Sequence, residues 1–93
     1  MNQKKLQLMP YKIDFTKGAL KELQKLPKDI QTNVLEHILL LVDEPRPNGC
    51  KKLIGEENIW RVRVGKYRIV YSIEDGILLI EIIRIAHRKD VYR

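Results

Sequence analysis

The order of apolar and polar residues divides this chain into a strand, a pair of helices and a run of further strands. Tyr11, Ile13 and Phe15 alternate with Lys12 and Asp14, the period-2 pattern of a half-buried strand. Thr16 follows as a helix N-cap, because its hydroxyl can accept from an N–H that the first helical turn leaves unpaired. From Lys17 the period becomes helical, with Leu20, Leu23 and Leu26 on one stripe and Lys17, Lys21 and Lys25 facing solvent. Pro27 restarts the chain. A second helix over 28–42 places Ile30, Val34, Ile38 and Leu41 on one face, and the short connection makes the pair an αα-hairpin that Pro45, Pro47 and Gly49 terminate.

The remainder reads as strand. Trp60 to Val64 and Tyr67 to Ile73 each alternate, while Ile77 to Ala86 is apolar enough to predict cover on both faces. Gly65-Lys66 suits a two-residue type II′ turn and Asp75-Gly76 a type I′ turn, so both registers can be written down. The first sets Arg63 across from Arg68 and Arg61 across from Val70, leaving Trp60, Val62, Val64, Tyr67, Ile69 and Tyr71 to receive the helices. The second sets Val70 across from Glu81 and Arg68 across from Ile83, which brings Glu81 onto the arginine face. The expected class is α+β, an N-terminal strand and helical hairpin packed on a mainly antiparallel, twisted sheet of about four strands. Residues 1–9, polar and without a period, read as a flexible tail, and 10–93 as one domain, since 93 residues leave no material for a second core.

Charge sharpens this picture. Against 12 acidic side chains stand 18 Lys and Arg, a formal balance of +6 that points to a polyanionic partner. Residues 1–44 hold 7 Lys and no Arg against 6 acids, whereas 45–93 hold 11 bases against 6. The excess lies in the strand-rich half and includes every arginine. Cys50 is the single cysteine, which excludes an intrachain disulfide and fits a reducing cytoplasm. The N-terminus has no apolar h-region, and the longest apolar run, Ile38 to Val42, is too short to span a bilayer, so neither secretion nor a membrane partner is expected.

A like-charged cross-strand pair such as Arg63 and Arg68 opposes folding by a few tenths to about 1 kcal/mol, so stability alone would not select it. The bland alternative is a wet sheet surface on which Glu81 pairs with Arg61 or Arg68. The other reading is an anion site, flanked by Lys51 and Lys52 before the sheet and by His87, Arg88, Lys89, Tyr92 and Arg93 after it. The isolated histidines, single cysteine and absence of carboxylate pairs at ligand spacing exclude a recognisable metal motif. Metal-free RNA cleavage needs no such motif. The ribose 2′-OH attacks its own phosphate if a base takes its proton, an acid protonates the leaving oxygen and cations stabilise the phosphorane. Arginine forks suit the last role and serve poorly as bases. Either Tyr92, with its pKa lowered by surrounding cations, or His87 fits the base, and the sequence leaves both open.

The Lys-Leu-x-Gly stretch at Lys52, Leu53 and Gly55, the block Trp60-Arg61-Val62-Arg63-Val64-Gly65-Lys66-Tyr67-Arg68-Ile69-Val70-Tyr71, and the ending His87-Arg88-Lys89-Asp90-Val91-Tyr92 together resemble RelE-type toxins of toxin–antitoxin pairs. The resemblance covers about Tyr11 to Arg93. It implies a microbial-ribonuclease-like fold and a ribosome-dependent endoribonuclease that cuts messenger RNA without a metal or other cofactor. By motif position it implies catalytic roles for Arg61, Arg68, Arg88 and Tyr92. Arg68 would stabilise the transition state, Arg88 would act as acid, and Tyr92 would act as base or stack on a base. His87 adds a second candidate base. Lys51, Lys52 and Arg63 would bind RNA, with Arg61 also on the phosphate-contacting strand. The implied partners are an acidic antitoxin, the ribosome and messenger RNA, with DNA reached only through the antitoxin. Two rivals remain: a ParE-type gyrase inhibitor, and a nonenzymatic RNA- or ribosome-binding module.

Overall fold

A computed structural model describes residues 10–91; the tail expected over 1–9 and Tyr92 lie outside the described residues. The elements follow the pattern read from the chain. They are β1 (Lys12–Phe15), α1 (Lys17–Gln24), α2 (Lys28–Leu40), β2 (Lys51–Lys52), β3 (Ile59–Val64), β4 (Tyr67–Glu74), β5 (Leu79–His87) and α3 (Arg88–Val91). One five-stranded sheet runs in the order β1-β5-β4-β3-β2, parallel between β1 and β5 and antiparallel elsewhere. The α+β class and the helical hairpin on a mostly antiparallel sheet are as expected. The strand beyond the expected four is β2, whose two lysines carry no apolar alternation that a sequence pattern could register.

Thr16 caps α1, accepting the Ala19 N–H on its hydroxyl at 3.0 Å. The apolar stripe of α1 runs through Ala19 and Leu23 rather than Leu20, which is exposed. Val34 and Ile38 of α2, followed by Leu41, complete the helical side of the core, against Val62, Val64, Ile69, Tyr71, Ile73, Ile80, Ile82 and Ile85 from the sheet. Burying a large apolar side chain of this kind contributes roughly 1.5–3 kcal/mol, so the sheet face and the hairpin are held by the same set of residues. The Tyr71 hydroxyl keeps a partner inside that core by donating to the Pro45 carbonyl at 2.7 Å.

The first hairpin has the expected register, with Val64 opposite Tyr67, Arg63 opposite Arg68 and Arg61 opposite Val70. Gly65 supplies the positive φ of +59° that a type II′ turn needs at its first central position. The second hairpin corrects the sequence reading. Asp75–Ile77 form a 3-10 turn, Leu78 takes the left-handed conformation at φ 53°, and Glu74 pairs with Leu79, so four residues rather than two make the loop. Tertiary contacts hold this loop: the Asp75 carboxylate accepts from Arg46 at 2.9 Å and from the Tyr11 hydroxyl at 2.6 Å, and the Leu78 carbonyl accepts the Lys12 N–H at 2.7 Å. Past the loop, Tyr71 pairs with Ile82 but Val70 with Arg84, so Ile83 is an extra residue in β5. The two changes shift the C-terminal half of β5 by three positions. Arg68 therefore lies opposite Ala86, not Ile83, and Glu81 lies opposite Ser72, not Val70. Cover on both faces of β5 is not found either, because Glu81 stands exposed on the side away from the helices.

Candidate functional site

β3 and β4 present Arg61, Arg63 and Arg68 on one sheet face because paired residues of an antiparallel ladder project to the same side. Val62, Val64, Ile69 and Tyr71 are the interleaved residues, and burying them against the helices fixes which face the arginines occupy. Arg63 is exposed at the surface, whereas Arg68 is only 4% exposed. A guanidinium sunk into a sheet surface acts through a lower effective dielectric than one in bulk water, which strengthens its pull on an anion.

Beside this pair lies a polar cavity of about 120 Å³ lined by Arg63, Gly65, Tyr67, Arg68 and Arg88. Arg88 reaches it because α3 begins where β5 ends, and the Arg88 N–H is tied to the Lys66 carbonyl of the first hairpin turn at 2.8 Å. Three sequence-expected site residues thus meet at one hole. A second and larger cavity, of about 330 Å³, shares Arg63 and adds Arg61 and Lys51. Lys51 lies opposite Arg61 in the ladder and on the same face, while Lys52 lies opposite Trp60. Both lysines are exposed and line, with Leu53, Ile54 and Arg61, a rim along the sheet edge.

His87 is placed differently. It pairs with Tyr67, whose neighbours on that face are the core residues Val64 and Ile69, and the two rings meet edge to face with centroids 5.4 Å apart. The extra residue in β5 is the cause, since a one-residue insertion turns every following side chain to the opposite face. The Lys89 N–H donates to His87 Nδ1 at 3.3 Å, which assigns the ring proton of the neutral form to Nε2. The structure does not bring His87 into the cavity of Arg68. Tyr92, the other candidate base, falls beyond the described residues. Among the described residues, no three His, Cys, Asp or Glu side chains gather in a way that would hold a metal ion. No described helix is long and apolar enough to cross a membrane.

Sequence reasoning missed four contributors. Tyr67 completes the lining of the smaller cavity, and Asn48 and Gly49 line the larger. The Pro-Asn-Gly signal at Pro47–Gly49 was legible as a turn, but nothing in it said that the turn would stand beside Arg61 and Arg63. Glu22 is the fourth. One of its oxygens accepts the Ile85 N–H at 2.7 Å and the other pairs with Arg84, so an acid on α1 steadies the end of β5 from which Arg88 departs.

Comparison with known proteins places this geometry in a lineage. A family model described as ParE toxin of the type II toxin-antitoxin system, parDE, matches residues 13–92. Toxin RelE of Mycobacterium tuberculosis is 36% identical over 85 residues, covering 90% of this chain and 88% of its own. The mRNA interferase toxin RelE of Escherichia coli is 26% identical over 83 residues, covering 87% of this chain and 86% of its own. The archaeal RelE of Pyrococcus horikoshii, solved as a RelE–RelB complex, superposes with a TM-score of 0.77 at 32% identity, covering 88% of this chain and 99% of that one.

Proposed function

Because this chain belongs to the RelE/ParE family of type II toxin–antitoxin toxins, we propose that it is a ribosome-dependent endoribonuclease that cuts messenger RNA by attack of the 2′-OH on the adjacent phosphate. The observation that carries this reading is the small cavity in which Arg63, Arg68 and Arg88 converge, two of them a like-charged cross-strand pair. That arrangement opposes folding and suits a phosphate. Arg68, buried and pre-oriented, acts as the clamp on the charge that grows on the phosphorane, where a fixed donor is worth more than a solvated one. Arg61 and Arg63 hold the backbone phosphates, and Lys51 and Lys52 extend the track along the sheet edge. Arg88 stands at the cavity as the donor to the leaving oxygen. The base is Tyr92 or His87, and the face to which His87 is turned favours Tyr92. No step in this chemistry calls for a metal.

The inhibitor of such a toxin is an acidic antitoxin. A chain of net charge +6 with its arginines on one sheet face attracts it, and Leu39 and Leu40 stand 62% and 65% exposed at the end of α2 to give it apolar purchase. The relative solved with RelB supports such a partner.

Mapping new 5′ ends on ribosome-bound message tests the reading. Wild type generates cuts within the codon at the A site, and Arg68→Ala reduces the single-turnover rate by roughly 10²–10³-fold, the usual cost of removing one transition-state donor. Tyr92→Phe lowers the rate if the phenol is the base; an unchanged rate there with a fall in His87→Ala assigns the role to the histidine. Since the matching family model is named for ParE, the rival outcome is specific: intact message together with failure of gyrase supercoiling replaces the ribonuclease reading.

A further inference from the structure

Beyond Ile82 the strand β5 loses its parallel neighbour, because β1 ends at Phe15 and the chain turns into α1 at Thr16. The bulge in β5 lies at the same point, with Ile83 between the pairs Tyr71–Ile82 and Val70–Arg84. A bulge bends its strand and adds twist, so the direction of everything that follows depends on how firmly the extra residue is held. Here α1 holds it from both sides. The Thr16 hydroxyl, which also caps the helix, donates to the Ile83 carbonyl at 3.2 Å, and one Glu22 oxygen accepts the Ile85 N–H at 2.7 Å. The backbone groups before and after Arg84 are thus tied to one helix, which its buried Ala19 and Leu23 fix against the sheet.

The segment that leaves this bulge carries Arg88. Three residues beyond Ile85, Arg88 lines the cavity of Arg63 and Arg68, and its own N–H is tied to the Lys66 carbonyl at 2.8 Å. That bond fixes where the Arg88 backbone sits on the first hairpin. The grip on the bulge fixes the direction from which it arrives. Glu22 commits both oxygens here, the second pairing with Arg84 at 3.2 Å, and a carboxylate that accepts from a backbone N–H makes a stronger bond than a neutral acceptor would. We infer that Thr16 and Glu22 are positioning residues for cleavage, which clamp the β5 bulge and thereby aim Arg88 into the phosphate cavity. The inference rests on the ribonuclease reading and extends it to two residues on the helical side of the sheet, which the RNA does not touch.

Single-turnover cleavage of message on programmed ribosomes, followed over a range of ribosome concentrations, separates the saturating rate from the half-saturation point, with the fold of each variant checked by circular dichroism. Glu22→Ala is expected to lower the saturating rate roughly 10- to 10²-fold, the scale of a small misplacement of a reacting group, at an unchanged half-saturation point. Glu22→Gln keeps an oxygen for the Ile85 N–H and restores the rate, and Arg84→Ala, which removes only the ion pair, retains it. In an Arg88→Ala background nothing is left to aim, so Glu22→Ala costs no further rate there. Should Glu22→Ala not fold, Thr16→Val carries the same comparison against Thr16→Ser, which keeps the hydroxyl. A full saturating rate in folded Glu22→Ala, or an equal loss with Arg88 already removed, overturns the positioning role and leaves the ribonuclease standing. A wild type that cuts no message overturns both together.

Discussion

Arg63 and Arg68 face one another across two strands, one exposed and the other almost fully buried, and like charges placed directly opposite repel. Replacing Arg63 by threonine removes the repulsion and installs a residue that favours strands. Arg63→Thr is therefore expected to raise stability by about 0.2–1 kcal/mol, seen as a higher urea midpoint at unchanged slope, while it slows RNA cleavage. A midpoint that falls instead would show that Arg63 is part of the fold's support. This pair was legible in the sequence because a glycine-first turn of two residues leaves only one register. The face of His87 was not legible, because it depends on Ile83 being one residue too many in β5, and no local signal marks an extra residue inside a continuous apolar run.

Elements show the same division. Helix α1 and the first hairpin follow from capping, periodicity and a short turn, all encoded within a few residues. The β4–β5 connection does not, because Asp75-Gly76 meets partners from distant parts of the chain and Leu78, not glycine, takes the left-handed position. Where β1 ends, β5 loses its neighbour on that side, and Glu22 of α1 fills in for a strand by accepting the Ile85 N–H. Glu22→Ala leaves that partly buried N–H without its acceptor and is expected to cost about 1–3 kcal/mol in chemical denaturation. Arg84→Ala removes only the half-exposed ion pair with Glu22 and is expected to cost under about 1 kcal/mol, so the two variants separate the backbone bond from the salt bridge.

At the scale of the molecule, the Asp75 carboxylate joins the start of β1, through Tyr11, to the loop after α2, through Arg46, whose guanidinium also lies 5.1 Å from the centroid of the Trp60 ring. Arg46 and then Tyr11 hold the Asp75 carboxyl below its ordinary value. A folded-state pKa that is depressed contributes stability that is complete above the unfolded value, about 3.9, and is lost as pH falls from there through the lower folded value. Burial, with a smaller effect from Cys50, pushes the Tyr71 hydroxyl up, so its contribution is complete below about pH 10 and is lost above. The urea midpoint is expected to fall on both sides of a broad plateau. Asp75→Asn flattens the acid limb and Tyr71→Phe the alkaline one, measured from pH 2.5 to 11 at constant ionic strength. An acid limb as steep in Asp75→Asn as in wild type would transfer that loss to other carboxylates.

The strand β2 consists of two lysines at the border of the sheet. Open sheet borders invite another chain to add itself, and a stub of two residues with a charge on each is poor ground for such growth. The side chains proposed to gather RNA thereby also place like charge on the one border where a second copy could extend the sheet. Lys51→Val combined with Lys52→Thr is expected to produce concentration-dependent oligomers by light scattering at pH 7 where wild type remains dispersed. If the double variant stays dispersed, the brevity of the strand is sufficient protection without its charge.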